Sequence, residues 1–365
     1  MGTSNGVEAR LKPIDLDRVG WHGREGIMRG AVIYGAGDVR FEDIADPEIV
    51  APTDAIVRTT ATCVCGSDLW DYRGINPVPE PKPFGHEYCG VVEAVGSEVT
   101  SVKPGQFVIG SFFASDGTCP NCRNGVQTSC VHGVLMSGCQ AEVIRIPWAD
   151  GSLVALPGQP DGESIPDLLT LSDVMGTGWF AAEAANVAPG MTVAVVGDGA
   201  VGLCAVLAAR EKGAERIIAM SRHEPRQKLA REFGATDIVT ERGDDGVAVI
   251  KDMTEGVGAD AVLECVGTGQ SMQQAIQSAR PGAFVGFVGV PHDVSITGEQ
   301  LFRSQVGLRG GPAPVRHFLP DLIESVLDGR INPGKVFDLH LPLEQVAEAY
   351  RAMDERRAIK AFLQP

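Results

Sequence analysis

No apolar stretch in the 365 residues reaches the roughly 18 that a membrane span requires. The N-terminal residues also lack the apolar core of a secretory signal. Residues 1–27 are therefore read as an extension ahead of the fold, and the chain as cytoplasmic. A basic surplus is missing too: 31 Lys and Arg stand against 47 Asp and Glu, a formal net charge of −16. A surface of that sign argues against a nucleic-acid or membrane partner, since both need basic patches. It does not exclude a phosphorylated cofactor, for which a few cations in a cleft suffice. Internal repeats and low-complexity segments are absent as well.

What remains has the make-up of an ordinary globular protein, 44% hydrophobic and 21% charged, and is long enough for two domains. Nine cysteines is an odd number, and Cys119, Cys122 and Cys130 are clustered. In a cytoplasmic chain such clustering points to metal before disulfides. Cys89, Cys139, Cys204 and Cys265 stand alone in apolar runs and read as small buried hydrophobes.

From Gly30 to about Ile146 the pattern is of short β runs, such as 55–61, 90–95 and 106–109, punctuated by Gly, Pro and Asp. From about Asp173 strands alternate with helices. Strands are predicted over 192–196, 216–220, 261–265 and 283–288, with helices over 201–212 and 226–233. That alternation builds a parallel sheet covered by helices on both faces. Helices over 319–327 and 343–353 and a strand over 359–363 complete the chain. The expected organisation is a first β-rich part (28–172), a doubly wound domain (173–310) and a C-terminal completion of the first part (311–365).

The run Val193-Ala-Val-Val-Gly197-Asp-Gly199-Ala-Val-Gly202 is G-x-G-x-x-G between a hydrophobic strand and an apolar helix. Gly197 permits the tight turn, Gly199 lets the backbone approach a pyrophosphate, and Gly202 lets helix and strand pack closely. With the following βαβ unit in register, it is read as a dinucleotide site. An NAD site would put an acid at the end of the next strand. This chain has Ser221-Arg222 there, a hydroxyl donor and a cation suited to the 2′-phosphate of NADP(H). The alternative leaves Arg222 on a solvated loop and gives the ribose to Glu224.

Cys65-Gly-Ser67-Asp68 is followed by Gly85-His86-Glu87. One thiolate and one imidazole suit zinc, but two ligands do not complete a site. Asp173, in Leu171-Ser-Asp-Val-Met-Gly-Thr177-Gly178, is a third candidate, and spacing alone does not bring it to Cys65.

From about Ile27 to Pro365, these motifs and their order resemble the zinc-dependent medium-chain dehydrogenase/reductase family, of the alcohol dehydrogenase type. The resemblance implies an α/β fold, with a GroES-like β-rich catalytic domain and a Rossmann-type cofactor domain. Cys65, His86 and Asp173 fall on catalytic-zinc ligands, with Asp173 where many relatives have cysteine. Glu87 falls on a glutamate beside the zinc, Asp68 on the carboxylate that orients the ligand histidine, and Ser67 on the hydroxyl that passes the substrate proton. Thr177 and Val201 match positions lining the nicotinamide. Lys360 falls on a cation used against the pyrophosphate, or else is an exposed terminal charge. Such a zinc ion polarises the oxygen of a small alcohol or carbonyl substrate for hydride transfer. Family members form homo-oligomers, and the aspartate ligand favours a tetramer over a dimer.

Two departures stand out. Where many relatives continue the proton relay with histidine, this chain has Trp70, whose indole is a donor only. The relay is then expected to leave Ser67 through the cofactor ribose. In the structural-zinc loop Asp116 replaces the first cysteine ahead of Cys119, Cys122 and Cys130. Three thiolates and a carboxylate can still close a tetrahedral site. The alternative is a metal-free loop with Asp116 as a turn residue. Two rival functions stay open: a zinc-free quinone or enoyl reductase of the same superfamily, and a non-catalytic nucleotide-binding scaffold.

Overall fold

The computed structural model describes residues 11–12 and 26–365. Most of the expected extension 1–27 lies outside these residues, and its strand Leu11–Lys12 pairs antiparallel with Gln159–Pro160. The described chain forms two compact units. One runs up to Asp173 and resumes at Pro314 to the C-terminus, and the other is Val174–Ala313.

The first unit is mostly antiparallel β. Its largest sheet has seven strands. Ala55–Cys63 lies inside that sheet, bonded to Tyr88–Val95, to Val143–Ile146 and to the C-terminal strand Lys360–Gln364. Ala55, Val57, Ala61 and Val64 are fully buried along this central path. The pairing of Cys63 with Phe362 carries the end of the chain back to Cys65. Lys360 is thereby placed beside the first sequence motif, almost 300 residues away in the chain. Helix Val346–Asp354, preceded by the 3₁₀ turn Leu343–Gln345, turns Val346, Ala349, Tyr350 and Met353 inward at helical spacing. The helix expected over 343–353 thus begins with a tighter turn, after Pro342.

The second unit is a six-stranded parallel sheet. Its order is Asp237–Val239, Arg216–Met220, Thr192–Val196, Ala259–Glu264, Ala279–Phe287 and Gly307–Gly310, every neighbour parallel. In chain order that is 3-2-1-4-5-6, the doubly wound arrangement that binds dinucleotides where the order reverses. Val193, Ala194 and Val195 are fully buried, each valine stabilising the sheet by about 1.5–3 kcal/mol relative to exposure. Val196 is in register with both Met220 and Glu264, so Gly197, Ser221 and Cys265 emerge side by side at one sheet end. Of the cysteines read as buried hydrophobes, Cys89, Cys139 and Cys204 are buried and Cys265, at that end, is half-exposed.

The sequence pattern gave no sign of helix Gly243–Met253, whose first turn is Gly-Asp-Asp-Gly. It also passed over helix Gly269–Ser278, which begins at a Thr268–Ser271 capping box rather than at an apolar stripe. Strand Ala279–Phe287 starts earlier than predicted, since Pro281 and Gly282 mask its first half.

Two loop glycines separate sterics from ligand approach. Gly197 has φ +121°, and a Cβ on Gly202 would run into the Gly197 carbonyl oxygen. Gly199 has φ −75° and open space around its missing Cβ. Gly202→Ala should therefore lower folding stability by about 1–3 kcal/mol through overpacking. Gly199→Ala should leave the melting temperature of the cofactor-free protein unchanged. Thermal unfolding of both variants checks this.

Candidate active site and metal centres

The first cluster is assembled from three places in the chain. Cys65 follows strand Ala55–Cys63, His86 and Glu87 precede strand Tyr88–Val95, and Asp173 ends the turn after helix Ile165–Thr170. One ligand atom from each of Cys65, His86, Glu87 and Asp173 lies within 4.8 Å of all the others. Asp173 Oδ2 is 3.3 Å from Cys65 Sγ and 3.3 Å from His86 Nε2. The structure thus brings Asp173 to Cys65, which spacing left open.

Asp68 stands behind the imidazole. One of its carboxylate oxygens lies 3.1 Å from His86 Nδ1 and the other accepts the Cys65 N–H at 3.0 Å. That arrangement puts a proton on Nδ1 and leaves Nε2 facing the cluster. The Tyr350 hydroxyl, 3.3 Å from Asp68 and held by Gln140, supports the carboxylate from the far side. Neither Tyr350 nor Gln140 had a sequence signal. Both are fully buried and come from distant segments.

Lys360 is not the exposed terminal charge that the sequence left open. It is 1% exposed, donating to Glu87 Oε1 at 2.6 Å and to the Val64 carbonyl at 3.1 Å. A strand that begins in the core cannot leave its first residue in solvent, and Glu87 is the carboxylate this lysine meets. Glu87 Oε2 is buried with no partner. Ser67 precedes helix Asp68–Tyr72 and its hydroxyl makes no capping bond. Trp70 lies within that helix, half-buried.

The electrostatics ask for a cation. Burial, then the charges of Asp173 and Glu87, push the Cys65 thiol up to about 11. Burial alone would lower the His86 imidazole, but Asp68, Cys65 and Asp173 outweigh it and hold it well above its usual value. Such a donor set binds protons tightly when nothing else is there, and a divalent cation displaces them. Thiolate, imidazole and carboxylate are zinc donors, and the unpartnered Glu87 oxygen completes the fit.

The second cluster is Asp116, Cys119, Cys122 and Cys130, again with one ligand atom each within 4.8 Å. Pro120 opens the short helix Pro120–Arg123, and Cys119 Sγ accepts the Cys122 N–H at its start. The thiols lie 3.5 and 3.9 Å apart, too far for a disulfide. Backbone N–H groups of Cys122 and Val131 bring Cys119 down to about 7, whereas burial and its two neighbouring thiols push Cys122 up to about 12. Asp116 is no simple turn residue. Its Oδ1 accepts the N–H groups of Thr118 and Cys119, and its Oδ2 lies 2.8 Å from His132 Nδ1. Burial opposes ionisation, but these bonds prevail and hold the carboxyl well below the usual range. His132, missed in the sequence, sits two residues past Cys130.

In the second unit Gly197–Gly202 forms the turn into helix Ala200–Glu211. Thr177 is buried in helix Val174–Ala184, and Val201 stands in the first turn of Ala200–Glu211. Ser221 ends its strand as expected and Arg222 is exposed. Glu224 opens helix Glu224–Phe233 on the surface. A carboxylate is nevertheless present, supplied by the glycine loop itself. Asp198 Oδ2 accepts from Ser221 Oγ at 2.7 Å, and Asp198 Oδ1 pairs with Arg226 at 3.2 Å.

Residues 51–158 match the alcohol dehydrogenase GroES-like domain family and residues 200–324 the zinc-binding dehydrogenase family. A protein described as a zinc-binding alcohol dehydrogenase, from Mycobacterium tuberculosis, is 36% identical over 88% of this chain and 84% of its own. The chain is a zinc-type alcohol dehydrogenase of the medium-chain dehydrogenase/reductase family. Zinc-type alcohol dehydrogenase B of Aspergillus flavus is 32% identical, covering 93% of this chain and 81% of that one. The solved alcohol dehydrogenase of Thermus sp. ATN1 is 31% identical, with 92% and 99% coverage and a TM-score of 0.84. A zinc-free reductase or a non-catalytic scaffold is not favoured by this membership. No helix among the described residues of this dehydrogenase is long and apolar enough to cross a membrane.

Metal analysis of the purified dehydrogenase should find close to two zinc ions per chain. His132→Ala should speed chelator-driven loss of one of them by about 10–100-fold, the usual cost of losing a group that orients a ligand. In an Asp116→Cys background the same substitution should have no effect. Release followed with a zinc-sensitive dye reads both, and one zinc per chain in the parent protein would leave the Asp116 loop without a metal.

Proposed function

We propose that this dehydrogenase moves a hydride between NADP(H) and a small alcohol, aldehyde or ketone, reducing carbonyls as well as oxidising alcohols. The convergence of Cys65, His86 and Asp173, with an unpartnered Glu87 oxygen beside them, carries the proposal. When bound, zinc supplies the Lewis-acid charge that polarises the substrate oxygen, and the nicotinamide gives or takes the hydride.

The protein's own groups have separate tasks. Cys65, His86 and Asp173 hold the metal. Asp68 keeps a proton on Nδ1 of His86, so that Nε2 offers a lone pair. Glu87, fixed at one oxygen by Lys360, keeps the other available to the metal. Ser67, uncommitted as a cap, exchanges the substrate hydroxyl proton. Trp70 shapes the pocket rather than extending the relay, because an indole accepts no proton. Asp116, Cys119, Cys122 and Cys130 hold a second, structural zinc. The Gly197–Gly202 loop receives the pyrophosphate, Thr177 and Val201 line the nicotinamide, and Arg222, next to the Asp198-bound Ser221, favours the 2′-phosphate. By analogy with the family, the working form is a homo-oligomer, a tetramer rather than a dimer.

His86→Ala should remove one zinc and all turnover together. Ser67→Ala should keep zinc and cofactor binding and lose turnover by about 10²–10⁴-fold, typical of a missing proton-transfer group. Wild-type turnover in Ser67→Ala, with chemistry rate-limiting, would exclude the serine relay. Arg222→Ala should weaken NADP(H) binding by about 1.5–3 kcal/mol and spare NAD(H), as expected for one charge-assisted hydrogen bond. Titration of both cofactors tests this, and equal losses would speak against the NADP(H) preference.

A further inference from the structure

In a dinucleotide site the group that meets the ribose 2′ position stands at the end of the second strand. Here that strand is Arg216–Met220 and the group is Ser221, which is 3% exposed. A serine hydroxyl has a single proton to donate, and Ser221 directs it to Asp198 Oδ2 at 2.7 Å. Ser221 Oγ in turn accepts the His223 N–H at 3.3 Å. Ser221 is therefore not a free donor for a phosphate. It is the mount for a carboxylate supplied from inside the glycine loop.

That carboxylate carries its own counter-ion. Arg226, in the first turn of helix Glu224–Phe233, places Nη1 3.2 Å from Asp198 Oδ1 and 3.4 Å from the Asp198 carbonyl. The two side chains are 13% and 15% exposed, so water screens the pair only in part. An incoming 2′-phosphate would have to share Arg226 with Asp198 and would meet the repulsion of its charge. A 2′-hydroxyl would instead find an anionic acceptor already anchored.

We propose that Asp198 sets the cofactor ratio of this dehydrogenase: its carboxylate, mounted on Ser221, restrains Arg226 from a 2′-phosphate and accepts a bond from a 2′-hydroxyl. Arg226 is the cation that the phosphate must win. The site then takes both cofactors, and the balance between them lies in the Asp198–Arg226 pair more than in the exposed Arg222. The inference rests on the reading of Gly197–Gly202 as a dinucleotide loop, but not on which cofactor is preferred.

The test is direct binding, by calorimetry on the zinc-loaded full chain, of 2′,5′-ADP and 5′-AMP, which differ only in the 2′-phosphate. Asp198→Asn keeps the side-chain shape and removes the charge. It should raise the affinity ratio of 2′,5′-ADP to 5′-AMP by about tenfold, one charge-assisted hydrogen bond's worth. Arg226→Gln should lower the same ratio by about tenfold or more while 5′-AMP binds as before. An unchanged ratio in Asp198→Asn overturns the proposal, and so does an equal loss for both nucleotides, which would mark Asp198 as a prop for the loop alone. A wild-type protein that prefers 2′,5′-ADP, with no shift in Asp198→Asn, would keep the NADP(H) reading and remove this one. A wild-type protein without preference, separated by Asp198→Asn, would do the reverse.

Discussion

The first unit depends on a concentration of negative charge that the fold holds out of water. Cys65, Asp173 and Glu87 are buried together around the His86 imidazole. Without compensation, carboxylates and a thiolate in such a place cost several kcal/mol each or take up protons instead. Among the described residues Lys360 supplies a fixed positive charge, directed to a single oxygen of Glu87. The remaining charge is left for a divalent cation, so metal binding and the stability of this region are linked. This constraint explains why the last strand of the chain is bonded to the strand leading into Cys65. The cation that steadies the site has to come from somewhere, and chain closure brings it.

Both donor clusters of this dehydrogenase set a carboxylate among thiols or an imidazole, and each carboxylate is held by further groups. Asp173 is wedged between Cys65 and His86. Asp116 is fixed by two backbone N–H groups and by His132. A carboxylate has two oxygens and a rotatable bond where a thiolate has one sulfur, so it needs orienting to act as a ligand. The neighbours meet that need: one oxygen of Asp116 is taken by the backbone and the other is steered by an imidazole. At His86 the same logic extends outward, through Asp68 to Tyr350 and Gln140.

The glycine loop shows how local charge can depart from a motif's usual meaning. Serine at the end of the second strand reads as the absence of an acid, yet the acid is present one strand away, at Asp198. The turn that Gly197 permits brings it there, because parallel strands in register place their carboxyl ends side by side.

The sequence by itself determined the parallel sheet, the glycine loop and the separate donor runs at Cys65–Asp68, His86–Glu87 and Cys119–Cys130. These are local signals, carried by periodicity and by spacing within a few residues. The contact of Asp173 with Cys65, which residue spacing left open and only the family resemblance implied, the burial of Lys360 against Glu87, the support of Asp68 by Tyr350, and the meeting of Asp198 with Ser221 and Arg226 were decided by tertiary structure. Each joins residues between 23 and 282 positions apart. Lys360 is the clearest case: its position in the chain offered a pyrophosphate ligand or a solvated end. Strand pairing with Ala55–Cys63 buried it, and a buried ammonium must find an anion.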